Sequence, residues 1–187
     1  MIRREIRIAG FGGQGIILSG SIIGKAASIY SNGFAALIQS YGPESRGGSC
    51  RAEVVTSDKP VDYPYIVNPD VQIILSQAAY NEFGKNTNNS TLLIIDSDLV
   101  KIDSSQKIKP LSIPASRMAQ ELGRPVVANI IIMGFLAAIS DIVSCEALKK
   151  AILDSVPRGT EDFNMKAFEL GYNYGIEYGR KVKKRSV

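Results

Sequence analysis

Glu5-Ile6-Arg7-Ile8-Ala9 runs straight into Gly10-Phe11-Gly12-Gly13-Gln14-Gly15, and this junction decides the fold. Ile6 and Ile8 alternate with Arg7, which predicts a strand over 5–9 with its apolar face turned inward. After the glycines, Leu18, Ile22, Ala26 and Ile29 recur at helical spacing beside Ile16, Ile23, Ala27 and Tyr30. They predict a well-buried helix that stops near Ser31-Asn32-Gly33. Gly10, Gly12 and Gly15 fit G-x-G-x-x-G at a strand-to-helix turn, where glycine permits close approach of a phosphate and the free N–H groups at the helix start favour an anion. A loop rich in glycine only for strand–helix packing is the alternative. A dinucleotide site would also need a carboxylate about 20 residues on, at the end of the second strand. Between Arg7 and Glu44 the only charged residue is Lys25, so the loop reads as an anion cradle without the dinucleotide partner.

Downstream, Phe34 to Ile38 and Arg51 to Thr56 read as strands and Asp58 to Pro69 as a loop. Val71-Gln72-Ile73-Ile74-Leu75 and Thr91-Leu92-Leu93-Ile94-Ile95 are short branched runs of the kind buried on both sheet faces, which favours a mainly parallel sheet. A helix-like AAYNEF segment lies between them. A weaker strand over Ile108 to Ile113 precedes helices from Ala115 to Leu122, Asn129 to Ser140, Cys145 to Asp154 and Thr160 to Lys184.

The 187 residues suit one domain. With 45% hydrophobic and 21% charged residues and a mean hydropathy of +0.04, the chain has the composition of a globular protein that buries a core. It contains no histidine, which excludes histidine bases, Ser-His-Asp and Cys-His nucleophile systems and histidine metal ligands. Cys50 and Cys145, far apart and outside any CxxC, are too few for a four-cysteine cluster or zinc site. They read as small buried hydrophobes in a reducing compartment. The net charge of +4 comes from Arg180, Lys181, Lys183, Lys184 and Arg185: residues 1–179 hold 17 basic against 18 acidic side chains. A basic tail over 180–187 therefore caps a body with no cationic bias, and neither nucleic acid nor membrane is expected as a partner. The longest apolar run, Ile130 to Ile139, is about half of a membrane span, and a cytoplasmic protein is expected.

Two further patterns invite a role. Tyr41-Gly42-Pro43-Glu44-Ser45-Arg46-Gly47-Gly48-Ser49 follows the second strand, near the carboxyl edge that also carries the glycine loop. Arg46 can grip a phosphate or carboxylate in bidentate fashion, with Glu44 orienting it or meeting a partner; a solvated turn with a local Glu–Arg pair is the alternative. In the last helix, Phe163, Ala167, Leu170, Tyr174 and Tyr178 form an apolar stripe, while Gly171, Gly175 and Gly179 recur every fourth residue. That glycine ridge suits close approach of another backbone, either the protein's own or a second subunit's.

RIAGFGGQGIILSG and QSYGPESRGGSCRAEVVTSDKPVDYP, followed in order by PDVQIILSQ, LIIDSDLV, IPASRMAQELG and VANIIIMGFLAA, resemble the gamma subunit of the 2-oxoacid:ferredoxin oxidoreductases over nearly the whole chain. YGPESRGGSCRAEVV is most like the stand-alone 2-oxoglutarate branch. The resemblance implies a single gamma-type domain over 1–187, α/β and Rossmann-like, with a mainly parallel sheet flanked by helices and a helical C-terminal third. It implies a subunit of an enzyme that oxidatively decarboxylates a 2-oxoacid with coenzyme A to an acyl-CoA, carbon dioxide and reduced ferredoxin. Thiamine diphosphate and iron–sulfur clusters are expected on alpha, beta and ferredoxin-like delta partners, with ferredoxin as acceptor. No metal or catalytic residue is expected on this chain. Carried over by position, Gly12, Gly13, Gln14 and Gly15 approach a coenzyme A phosphate, Arg46 supplies charge and Asn129 hydrogen-bonds the ligand or caps its own helix. The basic residue that some fused members place early in the first helix is replaced here by Ser19 and Ser21, with Lys25 later. Tyr41, Pro43, Glu44, Gly47, Gly48, Gly171, Gly175 and Gly179 are the expected partner contacts, the last three also serving a homodimer of the isolated chain. A free nucleotide-binding dehydrogenase and a purely structural scaffold are the competing readings.

Overall fold

A computed structural model describes residues 3–42, 47–85, 87–102 and 108–185, with side chains as far as residue 181. Six strands, β1 (Arg3–Phe11), β2 (Phe34–Tyr41), β3 (Ser49–Ser57), β4 (Val71–Ile74), β5 (Leu92–Asp96) and β6 (Leu111–Ile113), form one sheet in the order β2-β3-β1-β4-β5-β6. β1, β4, β5 and β6 are parallel, as the branched apolar runs predict. β3 is antiparallel to both β1 and β2, a reversal that the hairpin loop after Tyr41 permits and that strand patterning alone did not reveal. β2 therefore points the same way as β1, and Tyr41 and Gly10 flank Cys50 at the same carboxyl edge.

One sheet face is the main core. Ile6, Ile8, Ala52, Val54, Val71, Ile73, Ile94 and Ile113 pack there under α1 (Ile16–Ser28), α3 (Ala115–Glu121), α4 (Ala128–Ile139) and α5 (Cys145–Leu153). Each such isoleucine, withdrawn fully from water, contributes about 2 kcal/mol of hydrophobic stabilisation. The opposite face holds a smaller cluster of Ala9, Ile74, Leu93 and Ile95 beneath Ala79, Tyr80 and Val100. The AAYNEF segment that covers it is a short α2 (Gln77–Ala79) widening into a π-helical turn (Tyr80–Gly84). Lys85 N donates to Tyr80 O to close that turn, and the Tyr80 ring lies where a side chain at position 84 would sit.

α4 is apolar all round, with Ile130 to Leu136 buried throughout, because it is sandwiched between the sheet layer and the long α6 (Glu161–Arg185). The α6 face that meets it runs through Ala167, Phe168, Gly171 and Gly175, so Phe168 replaces the predicted Leu170, which is exposed. Phe135 makes ring contacts with Tyr174 and Tyr178 at 5.9 and 5.8 Å. The glycine ridge is explained by the same contact. A Cβ on Gly171 would fall on the carbonyl oxygen of Ile131, one on Gly134 would fall on that of Phe168, and one on Gly175 would lie 2.6 Å from Ala138 Cβ. The backbone that approaches Gly171 and Gly175 is thus the chain's own, which corrects the expectation of a second subunit there. A Cβ on Gly179 would meet nothing within 4 Å among the described residues.

Gly171→Ala should therefore lower the unfolding free energy by about 2 kcal/mol through overpacking. Gly179→Ala should leave it unchanged or raise it by up to about 1 kcal/mol through helix propensity. Urea unfolding of the two variants checks this, and equal losses would show that the α4–α6 contact is not the constraint.

Candidate functional site

The candidate site lies at the carboxyl edge, where β1 turns into α1 between the ends of β3 and β4. This is the crevice at which connections depart in opposite directions, the usual ligand position in open α/β sheets. Gln14 fixes its geometry. Its Oε1 accepts from Phe11 N at 2.6 Å and its Nε2 donates to Leu75 O at 2.7 Å, joining the end of β1 to the end of β4. Gly10 is required beneath it, because a Cβ there would fall on Gln14 Oε1. The loop then takes two left-handed residues, Gly13 at φ 93° and Gly15 at φ 71°, conformations that only glycine adopts without strain.

Asn129 braces the other side. It is buried, its Nδ2 lies 3.4 Å from both Gly15 O and Ser19 Oγ, and it occupies the space a side chain at Gly15 would need. It does not cap α4, whose preceding residue is Val127 with no side-chain cap. Asn129 therefore supports the loop from within the chain, and its amide hydrogens face Gly15 and Ser19.

The β2–β3 hairpin meets the glycine loop directly. Gly12 N donates to Gly48 O at 2.8 Å, Gly42 N donates to Ser49 O at 2.7 Å, and a Cβ on Gly12 would approach Gly47 N to 3.4 Å. Gly47 is also left-handed, at φ 68°. The two glycine-rich segments singled out in the sequence are thus brought together, with Tyr41 exposed beside them. Pro43, Glu44 and Arg46 lie outside the described residues. The amides of Gly13 and Gly15 donate no hydrogen bond among the described residues, and α1 begins at Ile16, so two free N–H groups stand at a helix N-terminus. No acidic side chain occupies its first turn. Such an arrangement attracts an oxyanion.

Beside this cradle is a cleft of about 310 Å³ lined by Gly13, Gln14, Leu75, Asp96, Leu99, Ser116 and Val126. Asp96 is a site residue that sequence reasoning did not single out, although a carboxylate ending an apolar strand was its signal. Its carboxylate accepts from Ser116 N and Oγ at 2.9 and 2.7 Å and from Asp98 N at 3.0 Å, tying β5 to the start of α3. Burial holds its pKa above the ordinary carboxylate value, against the lowering effect of these hydrogen bonds. Burial also pushes up the thiols of Cys50 and Cys145, both free. Among the described residues no cluster of three cysteine, aspartate or glutamate side chains is placed to hold a metal, and no helix is long and apolar enough to cross a membrane.

Two outcomes follow from this geometry. Gln14→Ala leaves Phe11 N and Leu75 O without their partner, so the variant should lose about 1 to 2 kcal/mol of stability. Hydrogen exchange at the Phe11 amide should quicken; unchanged exchange would mean that Gln14 does not pin the loop. Asp96, protonated more readily folded than unfolded, makes stability fall as pH rises from the ordinary carboxylate range through its raised folded pKa. Denaturant titrations across pH 3.5 to 7 should show that component of the slope vanish in Asp96→Asn.

Comparison with known proteins agrees with this architecture. The family model for pyruvate ferredoxin/flavodoxin oxidoreductase matches residues 5–174. The 2-oxoglutarate synthase subunit KorC of Methanocaldococcus jannaschii is 46% identical over 179 residues, covering 94% of this chain and 96% of that protein. The gamma subunit of a keto/oxoacid ferredoxin oxidoreductase from Geobacter sulfurreducens superposes with a TM-score of 0.85 at 37% identity, covering 95% of this chain and 99% of that one. The 2-oxoglutarate:ferredoxin oxidoreductase of Magnetococcus marinus, solved with 2-oxoglutarate, coenzyme A and succinyl-CoA bound, shares the fold at a TM-score of 0.83 and 23% identity, over 94% of this chain and 31% of that one. With its mixed sheet, its glycine loop and a sequence matched almost end to end, the chain belongs to the pyruvate ferredoxin/flavodoxin oxidoreductase family, as one of its gamma-type subunits.

Proposed function

We propose that this chain is the gamma subunit of a 2-oxoglutarate:ferredoxin oxidoreductase and forms the coenzyme A side of the active site that its partners complete. The substrate reading rests on the 46% identity to a 2-oxoglutarate synthase subunit over nearly the full length of both chains. The coenzyme A reading rests on one geometric observation: the free amides of Gly13 and Gly15, at the start of α1, lie against the β2–β3 hairpin through the Gly12–Gly48 hydrogen bond. Gly12, Gly13 and Gly15 would admit a phosphate to the backbone, and Gln14 and Asn129 would hold the loop in the receptive shape. Arg46 would add charge from the hairpin. Coenzyme A, when bound, supplies the thiol that accepts the acyl group.

The division of labour follows from the side chains. A chain without histidine has few groups suited to proton transfer near neutrality, and the cradle is built from backbone and glutamine. Its contribution to rate is therefore positioning, which converts an encounter into a held geometry. Thiamine-binding alpha and beta subunits, a ferredoxin-like delta subunit and ferredoxin itself would supply the remaining chemistry in the cytoplasm. Tyr41, Gly47 and Gly48, exposed or half-buried at the same edge, are the described residues best placed to meet those partners.

The tagged chain, purified anaerobically from its source, should bring down thiamine-binding and iron–sulfur partners and reduce ferredoxin with 2-oxoglutarate and coenzyme A faster than with pyruvate. In that assembled enzyme Gly13→Val, which fills the cradle at a left-handed residue, and Arg46→Ala should each raise KM for coenzyme A about tenfold, the effect of losing roughly 1.4 kcal/mol of binding, while KM for 2-oxoglutarate holds. An unaltered KM for coenzyme A in both variants would remove this subunit from the coenzyme A site.

A further inference from the structure

On the sheet face away from α1, Arg7, Glu53 and Gln72 sit in one register row across β3, β1 and β4. Arg7 Nε donates to Glu53 Oε1 at 2.8 Å and its Nη1 to Gln72 Oε1 at 3.2 Å, while Gln72 Nε2 donates to Phe83 O and Thr87 Oγ1. Glu53 is buried, and its charge is met by Arg7.

Arg51, one row nearer the carboxyl edge, is surplus to that pair. Its Nε stands 3.6 Å from the same Glu53 oxygen, beyond hydrogen-bond range, and is buried without a hydrogen-bond partner. Its guanidinium lies 5.3 Å from the centre of the Phe83 ring, which Arg7 also covers at 5.0 Å. Arg51 donates no side-chain hydrogen bond among the described residues, although a guanidinium carries five donors that need acceptors when drawn out of water. Two thirds of the side chain is covered. The remainder borders a cavity of about 80 Å³ between the β2–β3 hairpin and the π-helical turn, whose polar rim is Ser40, Ser49 and Glu82.

We infer that this cavity is a binding site for a carboxylate group, held by the terminal nitrogens of Arg51 with Phe83 as the floor. The dimensions select the class. The volume is several times what one water needs and too small for a nucleotide. The exposed carboxylate of Glu82 at the rim disfavours a doubly charged phosphate, whereas a single planar carboxylate matches the guanidinium fork. Among the described residues, Arg51 and Glu82 are the charged groups that border the cavity, with the Arg7–Glu53 pair one row behind them, and Arg51 Nε is buried without a hydrogen-bond partner. The site is on the opposite sheet face from α1 and its cradle, so it stands or falls separately from the coenzyme A reading. The carboxylate comes either from a small acid or from an acidic side chain of a partner subunit.

The full-length chain labelled on its arginines, with the Arg51 Nε–H signal assigned through Arg51→Lys, is titrated with acetate, succinate and inorganic phosphate. A saturable shift of that signal with the carboxylates, at least tenfold weaker for phosphate, and an affinity raised severalfold by Glu82→Gln, would establish a site for a free acid. If the isolated chain shows no such shift, a map of the assembled enzyme decides: a partner aspartate or glutamate in contact with Arg51 would identify the partner as source. No saturable shift in the chain and no carboxylate at Arg51 in the assembly would overturn the inference. Saturation and the preference for carboxylate over phosphate are read from the wild-type signal, so poor folding of a variant cannot imitate them.

Discussion

The bridge that Gln14 makes from Phe11 N to Leu75 O is the contact on which the geometry of the carboxyl edge depends. Parallel β1 and β4 leave their last backbone groups facing a crevice, and unmet groups there are costly to bury. A side chain that can both donate and accept, placed four residues past Gly10, satisfies both strand ends at once. It can lie that close only because Gly10 has no Cβ and because Gly13 and Gly15 turn the chain through left-handed conformations. The glycines are therefore consequences of the bridge as much as of any ligand, which is why the pattern by itself did not distinguish packing from anion binding. The amides of Gly13 and Gly15, without an acceptor among the described residues, are what packing within those residues does not account for.

A second constraint acts behind the site. Asn129 can brace Gly15 only if α4 stands close to the start of α1, and α4 is held there from behind by α6. Reciprocal glycines, Gly134 against Phe168 O and Gly171 against Ile131 O, let the two backbones touch. Several turns of helix far from the carboxyl edge thus set the position of one amide beneath the loop. This interior coupling explains why a helix of marginal propensity, interrupted by three glycines, is retained at such length.

Much of this was legible in the residues. Periodicity placed α3, α4, α5 and α6 to within one position at each end, because their apolar faces are marked, while α1 ends at Ser28, three residues before the expected stop near Ser31. The meeting of the glycine loop with YGPESRGG was also readable, since both follow strands that point the same way. Strand direction at β3 was not: alternation records which face a residue takes, and an antiparallel strand gives the same alternation as a parallel one. The partner of the glycine ridge was hidden for a similar reason, as a ridge states that a backbone comes close and not whose it is. Asp96 escaped notice because a lone carboxylate after Ile95 gains meaning only when Ser116, twenty residues on, folds back to donate to it.

The two sheet faces carry different kinds of buried polar structure, and the difference bears on how a chain with so little reactive chemistry serves an enzyme. At the cradle the donors are backbone amides, fixed by Gln14 and Asn129 and indifferent to pH. On the other face the donors are two guanidiniums sharing one carboxylate across Phe83. Breaking such a buried arrangement is costly, while adding a matched anion relieves it. A sheet of this class has both faces covered in the completed protein, and the α2 segment covers only part of the second one. The charge on Arg51 is thus placed where the fold itself stops, at the mouth of the same hairpin that reaches the glycine loop. An anion taken up there would fix the hairpin from behind while the Gly12–Gly48 hydrogen bond fixes it from in front, so that occupancy of one face stabilises the geometry presented by the other.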